Sequence, residues 1–198
     1  MIWTSLALLF LASSGDAWRS DYIRSIHPRS KTHWGSWGTI DWCPFGYYAY
    51  GFRLKVESFQ GGYKDDTALN GIILHCKKGR GDTGHQTHIH SSVERWGSWG
   101  HSKFCPRRLF LTGVEIKSES HQGSGDDTAA NNFKFTCNHR YWRPLIGDGS
   151  RWGSWNKHPV ACPPKSAICG IRTRVESWQG TKVDDTALNE AIFYCCRK

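Results

Sequence analysis

Three pairs of neighbouring aspartates offer the most obvious acid–base or ligand-binding chemistry in this chain. Each pair is followed by Thr-Ala, and each is preceded by a Glu-Ser-x-Gln-Gly string. Carboxylates of this kind could hold sugar hydroxyls, bind a cation, or act as the acid and nucleophile of a glycosidase, which needs two carboxyls about 5–5.5 Å or roughly 6.5–9.5 Å apart. The candidate ligand-binding residues are Asp65, Asp66, Asp126, Asp127, Asp184, Asp185, Glu57, Glu119 and Glu176.

A structural role explains the same residues without a ligand. Asp and Thr side chains cap turns by hydrogen bonding to nearby backbone groups. Successive residues of a strand face opposite ways, so one Asp-Asp pair cannot flank a substrate unless a second copy cooperates. A fold needs the same turn three times, whereas catalysis usually needs one asymmetric site. The turn interpretation is therefore favoured, and no catalytic residue is assigned.

A second recurring motif is aromatic. Trp-Gly-Ser-Trp begins at Trp34, Trp96 and Trp152, and a Cys-Pro pair follows each copy. Tryptophan rings could stack on the apolar face of a sugar, and they could also pack at the ends of a folded domain. The threefold recurrence favours packing here for the same reason as before.

Together these motifs define a threefold internal repeat of about 60 residues. The copies span about residues 23–78, 85–140 and 141–198. Three copies fill the chain after residue 17, so we predict a single domain over residues 18–198. The fold must therefore be one in which three similar units share a core.

Alternation of apolar and polar residues predicts β-strands in every copy. In the first copy Phe52, Leu54 and Val56 alternate with charged residues, and the segment that ends at Cys76 shows the same period of two. Such alternation is typical of a strand with one wet face. The sequence therefore predicts an all-β fold of three antiparallel sheets, one per repeat, that bury their inner faces around a common axis.

Eight cysteines, an even number in a chain that looks exported, predict disulfides rather than metal ligation. The cysteines of the later strands share the apolar face, so each can bridge to the Cys-Pro cysteine of its own copy. This predicts the pairs Cys43–Cys76 and Cys105–Cys137. In the third copy the pairing stays open among Cys162, Cys169, Cys195 and Cys196. The last two are neighbours, so they point to opposite faces of a strand and should take different partners.

The chain begins with an apolar run, Ile2 to Ala12, and small residues that include Gly15 and Ala17 follow it. This pattern predicts a secretory signal peptide over residues 1–17 and a secreted, extracellular protein. The rest of the chain has no apolar run that fits a transmembrane helix.

Basic residues dominate the charge of the chain. Lys and Arg outnumber Asp and Glu by 26 to 17, which gives a formal net charge of +9. A charge of this sign attracts polyanions. For an exported, disulfide-bonded chain we expect acidic glycans or mucin-like glycoproteins as partners, and neither nucleic acid nor a membrane span.

Two smaller motifs suggest alternatives. Arg80-Gly81-Asp82 is a tripeptide that looks like an integrin ligand, but three residues recur easily by accident, so integrin is not the favoured partner. His85, His88 and His90 could ligate a metal, yet alternation brings only two of them together. A solvated strand edge is favoured for these histidines, and we expect neither a metal nor a cofactor.

The repeated strings closely resemble those of the vitelline membrane outer layer protein I family over about residues 23–198. The resemblance implies a β-prism of the first type, made of three Greek-key antiparallel sheets with pseudo-threefold symmetry. It also implies a secreted protein of extracellular coats, such as the outer layer of the egg vitelline membrane. Some plant lectins share the prism, and a weak chito-oligosaccharide transfer activity is linked to the family, but a fold alone carries neither function.

The expected function is a secreted structural and binding component of an extracellular coat or mucosal layer that contacts glycans or glycoproteins. The alternative is a carbohydrate-active protein that catalyses transglycosylation on N-acetylglucosamine oligomers, with carboxylates supplied by different copies. Binding is preferred to catalysis because the candidate carboxylates recur with the symmetry of the fold.

Overall fold

The structure, a computed structural model, confirms the all-β fold. It describes residues 18–57, 68–79, 86–106, 108–119, 129–138, 143–177 and 186–198. Within these ranges the chain forms fifteen strands and no helix, so no described segment is an apolar helix of membrane-spanning length. The predicted signal peptide, residues 1–17, lies outside the described residues and stays a prediction.

Each repeat contributes two long strands and three short ones. The long strands contain eight or ten residues, and most of the short strands contain two. In chain order the strands are β1 (Tyr22–Ile26), β2 (Ser36–Trp37), β3 (Asp41–Trp42), β4 (Tyr47–Val56), β5 (Leu69–Lys78), β6 (Gln86–Ile89), β7 (Ser98–Trp99), β8 (Lys103–Phe104), β9 (Leu111–Ser118), β10 (Ala130–Cys137), β11 (Leu145–Ile146), β12 (Ser154–Trp155), β13 (Val160–Ala161), β14 (Ser166–Val175) and β15 (Leu188–Arg197).

The strands form three five-stranded antiparallel sheets. Sheet I contains β1, β15, β14, β2 and β3, sheet II contains β6, β5, β4, β7 and β8, and sheet III contains β11, β10, β9, β12 and β13. In sheet II, β4, β5 and β6 pair in succession, and β7 returns to lie beside β4. This spatial order is a Greek key. The other two sheets repeat it, as expected for a pseudo-threefold prism.

The structure corrects the prediction that each repeat forms one sheet. The two long strands of one repeat pair with the three short strands of the next, so every sheet is shared between two repeats. Residues 22–42, at the start of the described chain, close the ring by pairing with β14 and β15. Alternation identifies a strand but not its partner, and for this reason the sequence does not reveal the exchange.

The apolar faces that the alternation predicts form one core along the axis. Phe52, Phe135 and Phe193, one from each sheet, are fully buried. The ring centroid of Phe135 lies 4.5 Å from that of Phe52 and 5.2 Å from that of Phe193. Because each ring buries a large apolar area, contacts between sheets contribute strongly to the stability of the prism.

Three disulfides cross the seams between sheets. The backbone N–H of Cys43 donates to the carbonyl oxygen of Cys169, in sheet I, at 2.8 Å, and its disulfide partner, Cys76, belongs to sheet II. The equivalent bridges Cys105–Cys137 and Cys162–Cys195 join sheet II to sheet III and sheet III to sheet I. The two predicted pairs are confirmed, and the seams are closed in a ring.

The fourth disulfide, Cys169–Cys196, lies within the hairpin of β14 and β15. The neighbouring cysteines at 195 and 196 thus take different partners, as predicted. This bridge belongs to a second apolar cluster, separate from the axial core, that includes Tyr194. The ring of Trp18 lies 5.7 Å from that of Tyr194, so the first described residue packs against this cluster.

Replacing both Cys43 and Cys76 by alanine should lower the free energy of unfolding by about 3–4 kcal/mol, because the bridge closes a long loop. Since the bridge also joins two sheets, its loss should speed amide hydrogen exchange in β3, at the seam between sheets I and II. Chemical denaturation measures the first effect, and hydrogen exchange with mass spectrometry measures the second.

The matched control is the pair Cys169→Ala and Cys196→Ala. Its sequence separation of 27 is close to the 33 of Cys43–Cys76, so the loss of unfolding free energy should be similar. Exchange in β3 should stay slow, since this bridge lies inside one hairpin. Equal acceleration of exchange in both variants would show that the crossing disulfide does not secure the seam.

One histidine on the outer surface of sheet II is held neutral by its surroundings. The ring of His75 lies 5.1 Å from that of Phe104, and its Nε2 lies 3.0 Å from Ser102 Oγ. Burial, followed by the positive charges of Arg53 and His88, lowers the pKa of His75 from 6.5 to about 4. Between these two pH values the unfolded chain therefore binds a proton at His75 that the folded protein does not bind.

The free energy of unfolding should consequently fall as the pH is lowered from about 6.5 to about 4. The part due to His75 should amount to roughly 1–2 kcal/mol, after allowance for solvent screening at a half-buried site. A His75→Gln variant should lose that part of the dependence in denaturation curves recorded across this range. The control variant is His158→Gln, at an exposed histidine. An unchanged pH dependence in His75→Gln would contradict the assignment.

Candidate functional site

The Trp-Gly-Ser-Trp motifs lie where β4, β9 and β14 end, at one end of the prism. In each motif Ser-Trp is a short strand that pairs with the last residues of a long strand. The glycines Gly35, Gly97 and Gly153 have φ values of 81°, 75° and 73°. A Cβ on Gly35 would lie 2.2 Å from the carbonyl oxygen of Val175, so no larger residue fits. The glycine of the motif is therefore explained by the backbone.

The second tryptophan of each motif is half-buried and packs beside a basic side chain. The guanidinium of Arg53 lies 5.1 Å from the ring centroid of Trp99, and Nζ of Lys134 lies 4.8 Å from that of Trp155. Trp37 lies in the equivalent position in sheet I. The packing interpretation therefore suits the second tryptophans.

The first tryptophan of each motif is presented to solvent instead. Trp34 is 53% exposed, Trp96 39% and Trp152 43%. The guanidinium of Arg95 lies 4.6 Å from the ring centroid of Trp96, and that of Arg151 lies 4.7 Å from the ring centroid of Trp152. An exposed indole with a cation over one face combines an aromatic surface with a positive charge, which together suit a sugar ring with an acidic substituent.

The glutamates of the Glu-Ser strings close the long hairpins. The backbone N–H of Glu57 donates to the carbonyl oxygen of Ala68 at 2.8 Å, and the equivalent bonds from Glu119 and Glu176 measure 3.2 and 2.8 Å. In the third repeat the Glu176 carboxylate accepts a hydrogen bond of 2.6 Å from the hydroxyl of Thr186. These bonds favour the structural interpretation of Glu176, and a ligand-binding role for the three glutamates stays a prediction.

Most of the other candidate residues that the sequence suggests lie outside the described residues. The three aspartate pairs, Arg80-Gly81-Asp82 and His85 lie outside the described residues, so their ligand-binding and adhesion roles stay predictions. His90 is described, and its backbone N–H donates to Asp41 Oδ2 at 3.0 Å across the seam between sheets I and II. Across the described part of the chain, no three His, Cys, Asp or Glu residues are grouped so that they could hold a metal ion.

A pocket that the sequence reasoning missed opens between the first strand and the last hairpin. Its volume is about 440 Å³. The segment between β1 and β2 supplies four of its lining residues, and β15 supplies the fifth. The lining residues are His27, Arg29, Ser30, His33 and Glu190.

One position at which the three repeats differ points to this pocket in the sequence. The three copies of the string Asp-Asp-Thr-Ala-x-Asn are followed by Gly71, Asn132 and Glu190, so only the third copy places a charge there. Both other residues are small or neutral. The acidic residue becomes informative only when β15 is known to pair with β1, which carries the histidine-rich segment at its end.

Glu190 is a buried carboxylate whose side chain is only 4% exposed. Its Oε1 lies 3.1 Å from His27 Nε2 and 3.0 Å from His33 Nδ1, and its Oε2 lies 3.2 Å from Arg174 Nη1. Burial alone would raise the pKa of Glu190, but the contacts with His27 and Arg174 outweigh it and leave the pKa below its ordinary value. The carboxylate is therefore ionised at neutral pH.

Comparison with known protein sequences gives a family match over nearly the whole described chain. The sequence model of the vitelline membrane outer layer protein I family (VOMI) matches residues 24–198. The vitelline membrane outer layer protein 1 homolog of Mus musculus is 40% identical over 164 residues, which cover 82% of this chain and 78% of that protein. The homolog of Homo sapiens is 39% identical over 180 residues, which cover 90% of this chain and 86% of that protein.

Solved structures share the fold at low sequence identity. Calystegia sepium agglutinin superposes with a TM-score of 0.55 at 12% identity, and the match covers 89% of this chain and 98% of the agglutinin. A mannose-binding jacalin-related lectin from Ananas comosus superposes with a TM-score of 0.51 at 11% identity, and the match covers 88% of this chain and 99% of the lectin. At such identities the likeness concerns the β-prism alone. The sequence match and the two mammalian relatives show that this chain belongs to the vitelline membrane outer layer protein I family.

Proposed function

We propose that this protein is a secreted structural component of an extracellular coat or mucosal layer, and that it binds glycans through the tryptophan-bearing end of its prism. The observation that carries the proposal is the exposure of Trp34, Trp96 and Trp152 at equivalent positions. An aromatic ring that stays partly exposed does not gain the full free energy of burial. Each ring lies at the same glycine-dependent turn at one end of the prism, so sugar rings can stack on three equivalent exposed indoles there.

The four disulfides support an extracellular location. Such bonds persist in oxidising compartments and are rare in the cytosol, and all eight cysteines of this chain are paired. The names of the mammalian relatives refer to the outer layer of the vitelline membrane, which supports a role in a coat of similar kind. The signal peptide predicted for residues 1–17 fits the same location.

The charge of the chain supports acidic glycans or mucin-like glycoproteins as the partners. A net charge of +9 attracts polyanions over the whole surface. Arg95 and Arg151 place part of this charge directly beside the exposed rings of Trp96 and Trp152. Several weak contacts on one rigid body strengthen binding to a repeating polymer, as the cohesion of a coat requires.

Binding has more support from the described residues than transglycosylation does. The alternative would depend on the aspartate pairs, which lie outside the described residues, and on the glutamates of the Glu-Ser strings. Of these, Glu176 already accepts a short hydrogen bond from Thr186. The adhesion role of Arg80-Gly81-Asp82 likewise depends on residues outside the described part of the chain, and integrin stays a less favoured partner.

The combined variant Trp34→Ala, Trp96→Ala and Trp152→Ala should bind glycans at least tenfold more weakly than the natural chain. Each ring is expected to contribute about 1 kcal/mol through its contact with a sugar. An array of neutral, sialylated and sulfated glycans, probed at physiological salt with the folded protein, measures the loss. Matching thermal unfolding curves for the variant and the natural chain would show that the fold is intact.

Phe45→Ala is the matched control, because this ring is 71% exposed but lies at the start of β4, away from the tryptophan end. It should bind every glycan of the array as the natural chain does. Two results would overturn the proposal: no glycan retained by the natural chain, or equal retention by the tryptophan variant.

A further inference from the structure

The pocket at Glu190 breaks the symmetry of the prism. Gly71 and Asn132 occupy the equivalent positions, since each follows the buried Asn at the start of its strand. A Cβ on Gly71 would lie 2.6 Å from the side chain of Val93, and the side-chain nitrogen of Asn132 donates to the carbonyl oxygen of Gly147 at 2.9 Å. Both positions are therefore filled by the neighbouring segment, whereas the Glu190 position opens into a pocket.

The segment that lines the pocket is also longer than its counterparts. Ile26 pairs with Phe193, as Ile89 pairs with Leu74 and Leu145 with Phe135, so these three residues are equivalent. Eight positions separate Ile26 from Trp34, whereas seven separate Ile89 from Trp96 and Leu145 from Trp152. The additional residue belongs to the stretch that carries His27, Arg29, Ser30 and His33.

The exposed lining of the pocket is basic. The side chain of His33 is 63% exposed and that of His27 is 37% exposed, while Glu190 is nearly closed off beneath them. Arg29, which is exposed, adds a guanidinium to the rim. The charge of Glu190 is already matched by Arg174 at 3.2 Å, so an incoming ligand meets an arginine and two imidazoles rather than a free carboxylate.

One buried polar atom of this segment adds a second observation. Thr32 Oγ1 is buried and has no hydrogen-bond partner among the described residues, and Thr32 lies between the lining residues Ser30 and His33. His27 Nε2, in contrast, faces Glu190 Oε1 at 3.1 Å. Buried polar atoms are nearly always hydrogen-bonded to protein, water or ligand, so the hydroxyl of Thr32 retains hydrogen-bonding capacity.

We propose that this pocket binds one acidic substituent of a glycan, a sulfate ester or a sugar carboxylate, through Arg29, His27 and His33. Arginine and protonated histidine are strong charge-assisted donors to such oxygens. The pocket volume of about 440 Å³ accommodates a substituent or a single sugar ring. The inference rests on the proposed glycan binding and specifies which glycans are selected.

The charged and titratable groups that line or adjoin the pocket are His27, Arg29 and His33 from the segment after β1, Arg174 from β14 and Glu190 from β15. Four of these five are basic side chains, so the pocket favours an acidic ligand over a basic one.

The test uses three monosaccharides as probes: N-acetylglucosamine 6-sulfate, N-acetylneuraminic acid and uncharged N-acetylglucosamine. Each is titrated into the full, folded chain while the imidazole resonances of its histidines are followed by nuclear magnetic resonance. The acidic probes should shift the resonances of His27 and His33, and N-acetylglucosamine should leave them in place. A shift with only one acidic probe would identify sulfate or carboxylate as the group selected.

The variant Arg29→Gln with His33→Gln should bind the acidic probes at least tenfold more weakly. The matched control is Arg24→Gln, which removes an exposed positive charge from β1 of the same sheet and should change binding less than twofold. Equal weakening in both variants would show that overall charge, not the pocket, attracts the ligand.

The outcomes separate this inference from the proposed function. The tryptophan variant should weaken binding to neutral and acidic glycans alike, whereas the pocket variant should affect acidic glycans only. Glycan binding that is indifferent to Arg29→Gln with His33→Gln would overturn the pocket and leave the proposed function standing. If the acidic probes shift the histidine resonances but no glycan of the array retains the protein, the proposed function is overturned and the pocket stands.

Discussion

Closure of the ring of sheets is the constraint on which the rest of the structure depends. Each long hairpin leaves two strand edges unpaired, and an open edge is prone to pair with another chain. The next repeat covers both edges with its short strands, and the first repeat covers the last. Residues 22–42 therefore contribute to stability far beyond their length, because without them sheet I would lose three of its five strands.

The disulfides follow from this exchange. The Cys-Pro cysteine of a repeat ends the short strands that belong to one sheet, and its partner lies in the long hairpin that begins the next. A bridge that looks local in sequence, spanning 32 or 33 residues, is therefore a link between sheets. The same geometry explains the glycine of each Trp-Gly-Ser-Trp motif, since the chain must turn against the end of a strand of the preceding repeat.

The sequence was informative where structure is local and symmetric. A period of two predicted the buried faces that carry Phe52, Phe135 and Phe193, and the recurrence of cysteines predicted two bridges that the structure contains. The exchange of strands between repeats was not predictable in this way, because pairing partners leave no trace in the alternation of one strand. The Glu190 pocket was not predicted for a related reason, because His27 and His33 lie more than 150 positions from Glu190 in the chain.

A residue that departs from the symmetry of three similar repeats is not explained by the fold alone. The fold accepts Gly71 and Asn132 where the third repeat has Glu190, so the prism does not require a charge at this position. Burying a carboxylate costs free energy, and here the contacts with His27 and Arg174 outweigh that cost, so Glu190 suits the third repeat only together with these partners. Nothing in the packing of the core calls for Glu190, whereas the arrangement of two imidazoles above it does depend on that charge. Glu190 therefore positions two imidazoles whose exposed parts face solvent and any ligand that enters from it.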